Sequence, residues 1–146
     1  MEKESKEPRL KGLITGCKAV IFDFDNIIVD SEPYHFESYR QVFEAMGYKL
    51  NREEYWIEWT SKGGGAEGEI KRYNLPFDPA EIRRKKDPIY SSFCQKGLVK
   101  PFPEAKDIIE LLSRKNYTLA IASGSYEEDI KKILKIHGLA SYFSAI

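Results

Sequence analysis

The segment KAVIFDFDNIIVDSEPYHF, Lys18 to Phe36, constrains this chain more than any other. Lys18 to Phe24 is short, continuous and rich in residues that suit a pleated sheet, which predicts a buried strand. Asp23 and Asp25 fall at or just beyond its end, and Asp30 follows a second apolar run. Ligands of open parallel sheets bind at the carboxyl ends of strands. Period-two alternation puts Asp23 and Asp25 on one side, with Phe24 facing away.

The rest of the chain reads as a helical stretch followed by a second α/β portion. Phe36, Tyr39, Val42, Phe43 and Met46 recur at three- and four-residue spacing, an amphipathic helix that Gly47 stops. Asn51 with Glu54 opens another helix, SKGGG (Ser61 to Gly65) breaks the pattern, and a short helix covers Ala66 to Tyr73. Asp78 and Glu81 cap a helix running toward Gln95. Trp56 and Trp59 read as core of this helical part. Beyond it come a helix after Pro103, a strand over Tyr117 to Ala122, and the loop Ser123-Gly124-Ser125. Ser125 with Glu128 forms a capping box for a helix through Ile136, and a third strand begins at Phe143. The order is βαβ with helices inserted after the first strand.

Two close carboxylates repel unless a cation or proton lies between them. Mg²⁺ takes one or two carboxylates together with phosphate oxygens. If the two strands are neighbours, Ser123 and Gly124 join the acids in one crevice. The Ser123 hydroxyl and the Gly124 N–H suit a phosphate oxygen, helped by the helix N-terminus nearby. One carboxylate then serves as nucleophile and the other as general acid, provided its pKa is raised.

Composition narrows the alternatives. Lys plus Arg and Asp plus Glu are both 23 in 146 residues, so the formal charge is zero, which argues against DNA or an anionic membrane as partner. Arg83 to Lys86 is the densest basic run and reads as a solvated helix face. No apolar run approaches a membrane span, and the charged N-terminus has no apolar stretch behind it. A cytoplasmic protein with Cys17 and Cys94 reduced is the expectation.

KAVIFDFDNIIVDSEP closely resembles the first signature of the haloacid dehalogenase-like superfamily, and LAIASGS its second. PFPEAKDIIELL is similar to the segment with which the β-phosphoglucomutase and phosphoglycolate-phosphatase-like branch returns to its core. The resemblance covers about Lys18 to Ile146. It implies an α/β, Rossmann-like core with an incomplete parallel sheet (18–31 and 101–146) and a helical cap over 32–100, while the charged N-terminus reads by itself as a leader over 1–17. The resemblance implies that Asp23 is nucleophile and Mg²⁺ ligand. Asp25 is implied as general acid/base with its backbone carbonyl on the metal, and Ser123 and Gly124 as phosphoryl ligands. Ser31 lies in the hinge region. His35 matches a cap-entry histidine, or is a polar position on the first cap helix. Lys62 sits where relatives place a substrate-contacting loop, or is an exposed loop lysine.

The implied activity is a Mg²⁺-dependent phosphatase of a small phosphorylated metabolite, working through an aspartyl phosphate. A sugar phosphomutase uses the same parts, and a non-catalytic phosphate-binding module is the other alternative. A dehalogenase does not need Asp25. Asn26 and Ile27 replace the usual Gly-Thr pair, a turn that Asn tolerates. The family's third and fourth signatures, a lysine and a further acid, do not occur before Ile146. The expectation is a piece of a longer protein, a site completed by another chain, or a form without activity. A sheet of so few strands is expected to leave an edge and apolar surface exposed.

Overall fold

In the computed structural model, which describes residues 16–146, three short strands form one parallel sheet. β1 (Ala19–Phe22) pairs with β2 (Thr118–Ile121), in register from Ala19↔Thr118 to Phe22↔Ile121. β3 (Phe143–Ala145) lies on the other side of β2, with a register shift between Leu119 and Ala120. Element order follows the expected pattern, and each strand is slightly shorter than its apolar run. All but the last two residues of the expected leader lie outside the described residues.

Past β1 the chain turns sharply. Phe24 dips into the core, 1% exposed, and its carbonyl accepts the N–H groups of Ile28 (2.9 Å) and Val29 (3.3 Å). The turn needs a left-handed residue, and Asn26 supplies it at φ 58°. The Asn26 side chain also accepts the Glu32 N–H (3.2 Å) and donates to the Glu32 carboxylate (2.8 Å), tying the turn to α1 (Glu32–Ala45).

Four further helical elements follow before the chain turns back toward the sheet at Pro101. These are α2 (Arg52–Glu54), a π-helix (Tyr55–Ser61), α3 (Gly65–Tyr73) and α4 (Pro79–Gln95). The expected caps form at Asn51, which accepts from Glu53 and Glu54 N–H, and at Asp78, which accepts from Ala80 N–H. The π-helix is a departure from the α pattern. The Thr60 and Ser61 hydroxyls both donate to the Trp56 carbonyl, and Gly64 N–H reaches Glu58 O at 2.9 Å. A Cβ on Gly64 would stand 2.9 Å from that same carbonyl, so only glycine closes the loop this way.

α5 (Pro103–Arg114) precedes β2 and α6 (Glu127–Ile136) follows it. Their apolar sides join Phe24, Ile28, Val29, Leu119 and Ile121 in one buried cluster. A second cluster, of Phe36, Phe43, Leu50, Tyr55, Trp59 and Ile82, unites α1 to α4. Trp59 is buried, as expected. α4 belongs to both, giving Ile82 to the second and Tyr90 and Cys94 to the first. The seam between the clusters therefore runs along α4. The other face of the sheet is open, as anticipated: Ile21 is 68% exposed. No helix among the described residues is long and apolar enough to cross a membrane.

Candidate active site

The parallel pairing of β1 and β2 brings their carboxyl tips side by side, where Ala122 N–H donates to Phe22 O at 2.9 Å. Asp23 and Asp25 leave one tip and Ser123 to Ser125 the other, as the strand-end argument requires. The two acids then differ sharply. Asp23 is exposed and accepts only the Phe24 N–H, on Oδ1 at 2.7 Å. Its Oδ2 accepts no hydrogen bond among the described residues. Asp25 is enclosed: Oδ2 accepts the Ser125 hydroxyl, and Oδ1 faces His35 Nε2 (3.4 Å) and the Tyr90 hydroxyl (3.5 Å).

These surroundings set the charge of Asp25. Burial pushes its carboxyl up, but His35, Ser125 and the nearby Ser31 hydroxyl together outweigh that and hold it well below the usual carboxylate range. The expected rise in the Asp25 pKa is thus not found: Asp25 stands ready as an anion. The reason is local, since donors reach the carboxylate from three elements.

His35 comes to the site from the first turn of α1 and stacks on Tyr90, centroids 4.0 Å apart and 15° between planes. Lys62 does not come. It lies on the outer surface in an ion pair with Glu58 at 2.9 Å, four residues before it. Gly124 and Ser125 line the crevice, and the Gly124 N–H makes no hydrogen bond among the described residues. Ser123 lies beside them, its hydroxyl accepting the Ser125 N–H at 3.1 Å. The capping box expected of Ser125 and Glu128 does not form. α6 begins at Glu127 without a side-chain cap, because the Ser125 hydroxyl is committed to Asp25.

Above this floor is a cavity of about 360 Å³, lined by His35, Lys86, Tyr90, Gly124, Ser125 and Asp129 among others. Lys86 corrects the reading of Arg83 to Lys86 as a solvated face. It is only 9% exposed, with its ammonium 4.7 Å from the Tyr90 ring centre, 5.5 Å from that of Tyr39 and 3.7 Å from Asp87. Burial pulls its ammonium below the usual lysine range, with Asp87 and Asp25 opposing. A signal existed in the sequence: Ile82, Lys86, Tyr90 and Cys94 form a four-residue repeat, and only Lys86 breaks its apolar character.

The donor set fits a hard cation held partly by substrate. Among the described residues no three acids, histidines or cysteines cluster as a complete cage. The free Oδ2 of Asp23 and the Asp25 carbonyl, which accepts no backbone hydrogen bond among the described residues, are the two oxygens to spare. Ser31 is fully buried near Asp25, and its hydroxyl makes no hydrogen bond of ordinary geometry among the described residues.

The model of a family described as haloacid dehalogenase-like hydrolase matches residues 20–146. A phosphoglycolate phosphatase of Vibrio parahaemolyticus is 29% identical over 135 residues, covering 86% of this chain and 58% of that one. A phosphorylated carbohydrates phosphatase of Thermotoga maritima is 26% identical over 137 residues, covering 88% and 60%. Among solved structures, CbbY from Rhodobacter sphaeroides in complex with phosphate superposes with a TM-score of 0.68. It is 23% identical and is covered to 62% by 88% of this chain. The chain thus spans about 60% of the length of the curated relatives it matches.

Proposed function

Because this chain belongs to the haloacid dehalogenase-like hydrolase family, we propose that it carries the nucleophile half of a Mg²⁺-dependent phosphatase acting on a small phosphorylated metabolite. The observation that carries the reading is the contrast between the acids: Asp23 has an unencumbered oxygen, and Asp25 beside it is held by Ser125 and His35. The phosphatases of phosphoglycolate and of phosphorylated carbohydrates among its relatives support the substrate class. We assign 32–100 as a cap over the crevice and the cytoplasm as the compartment.

Asp23 Oδ2 attacks phosphorus, the ester P–O bond breaks, and the leaving oxygen takes a proton. Mg²⁺, held by Asp23, the Asp25 carbonyl and a phosphate oxygen, would offset the charge of the nucleophile and the phosphoryl group. The Gly124 N–H and Ser123 orient phosphoryl oxygens, and Lys86 adds positive charge from the helical side. An arriving phosphate raises the depressed Asp25 pKa by like-charge repulsion, favouring the protonated form that the leaving oxygen needs. Asp25, then an anion again, takes a proton from water as the water attacks the phosphoryl group on Asp23. Orthophosphate leaves, Asp25 releases its proton to solvent, and both carboxylates are restored.

The test is turnover of an aryl phosphate with Mg²⁺ by the folded chain and by Asp23→Asn. Turnover lost in the variant supports the phosphatase. A folded chain that binds phosphate without turnover supports the binding-module reading instead.

A further inference from the structure

We propose that the helical segment holds a second binding site, for a ring-bearing anion, on a different side of α1 from the crevice. α1 turns His35 and Tyr39 into the crevice, and Phe36, Glu37 and Arg40 into another cavity whose remaining wall is Lys49 to Arg52. No residue lines both. The second cavity has a volume of about 590 Å³, against about 360 Å³ for the crevice, a size that small organic ligands occupy. A bare inorganic anion would leave most of it empty. The site has no part in the phosphatase reading and stands without it.

The charges of this cavity are not balanced from within. Arg40 donates to both Glu37 carboxylate oxygens at 2.8 Å and to Glu44 at 2.6 Å. The Gln41 amide also donates to Glu37, at 2.9 Å. Both acids are thereby spent. Lys49 and Arg52 are exposed and make no ion pair among the described residues. The Asn51 side-chain oxygen accepts the Glu53 and Glu54 N–H groups at 2.9 and 3.1 Å, while its amide nitrogen donates to nothing among the described residues. Two cations and an amide donor thus come from one short stretch of chain.

The floor beneath them is apolar, since Phe36 and Leu50 are both buried. The Arg52 guanidinium carbon stands 5.8 Å from the centre of the Phe36 ring. A planar guanidinium over one ring offers its other face to a second. An anion alone would leave the apolar floor unused. A neutral apolar molecule would take two unpaired cations out of water. A flat ring carrying a carboxylate, phosphate or phosphonate satisfies both, and a guanidinium matches any of these anions two-pronged.

The experiment is an amide NMR titration of the chain without Mg²⁺, where the paired carboxylates of the crevice repel anions. The probes are phenylphosphonate, which has ring and anion, methylphosphonate, which has the anion alone, and benzyl alcohol, which has the ring alone. None carries a phosphate ester to hydrolyse. The expected result is that phenylphosphonate shifts the amides of Phe36, Glu37, Arg40 and Lys49 to Arg52 on one binding curve. Its dissociation constant lies about tenfold below that of either other probe. Lys49→Gln combined with Arg52→Gln, both at exposed positions, abolishes these shifts. Arg52→Lys keeps the methylphosphonate affinity and loses most of the preference for the ring. Equal constants for the two phosphonates, shifts confined to Asp23 to Asp25 and Ser123 to Tyr126, or binding that survives the double substitution overturns the inference. Orthophosphate binding at the crevice with Mg²⁺ is measured separately, so either reading can fail without the other.

Discussion

The Ser125 hydroxyl, at the tip of β2, donates its hydrogen bond to Asp25 at the tip of β1, across 100 residues of chain. One contact thus joins the first strand, the second strand and, through His35 and Tyr90 on the same carboxylate, the helical segment between them.

Replacing Ser125 by alanine removes a hydrogen bond to a partly buried carboxylate. Stability falls by about 1–2 kcal/mol, read from urea unfolding. Phosphate affinity falls with it, because Asp25 loses the neighbour that orients it.

Lys86→Met separates packing from charge. Methionine keeps an unbranched stem between the Tyr39 and Tyr90 rings and relieves the burial of an ammonium. The thermal midpoint holds or rises, while orthophosphate affinity in the presence of Mg²⁺ drops about tenfold. A midpoint that collapses instead would assign Lys86 a structural role.

The two thiols differ in reactivity. Cys17 is exposed, whereas Cys94 is fully buried and burial pushes its thiol up to about 12. At pH 8 a thiol reagent labels Cys17 in the native protein and reaches Cys94 only on unfolding. Rapid native labelling at Cys94 contradicts the packing of α4 against the sheet.

Glu69 anchors the helical segment from inside. It is 1% exposed and accepts the Tyr48 hydroxyl (2.7 Å) and the Trp59 indole N–H (3.1 Å). Glu69→Leu strands both donors and costs about 2–3 kcal/mol in denaturant titration. Glu69→Gln, which keeps an acceptor, costs less.

Much of this was legible because the strands announce themselves. Ala19–Phe22 and Thr118–Ile121 are continuous apolar runs, and the acids and serines beyond them mark where pairing ends. Asn26 was readable for the same local reason, since few residues accept its dihedral. Ser125 was misread because its spacing to Glu128 suits a cap, while its actual partner is brought near only by strand pairing. Lys86 hid inside a basic run, where its burial depends on α4 crossing from one hydrophobic cluster to the other. The π-helix at Tyr55–Ser61 left no periodic trace: it arises from two hydroxyls converging on the Trp56 carbonyl and a glycine that can approach Glu58.

The most direct measurement is an amide NMR titration with orthophosphate and Mg²⁺. If both strand tips enclose a single phosphoryl site, the largest shifts appear at Asp23 to Asp25 and at Ser123 to Tyr126, and all follow one binding curve. Shifts confined to one tip, or two tips titrating with separate affinities, would contradict the shared site and the chemistry built on it.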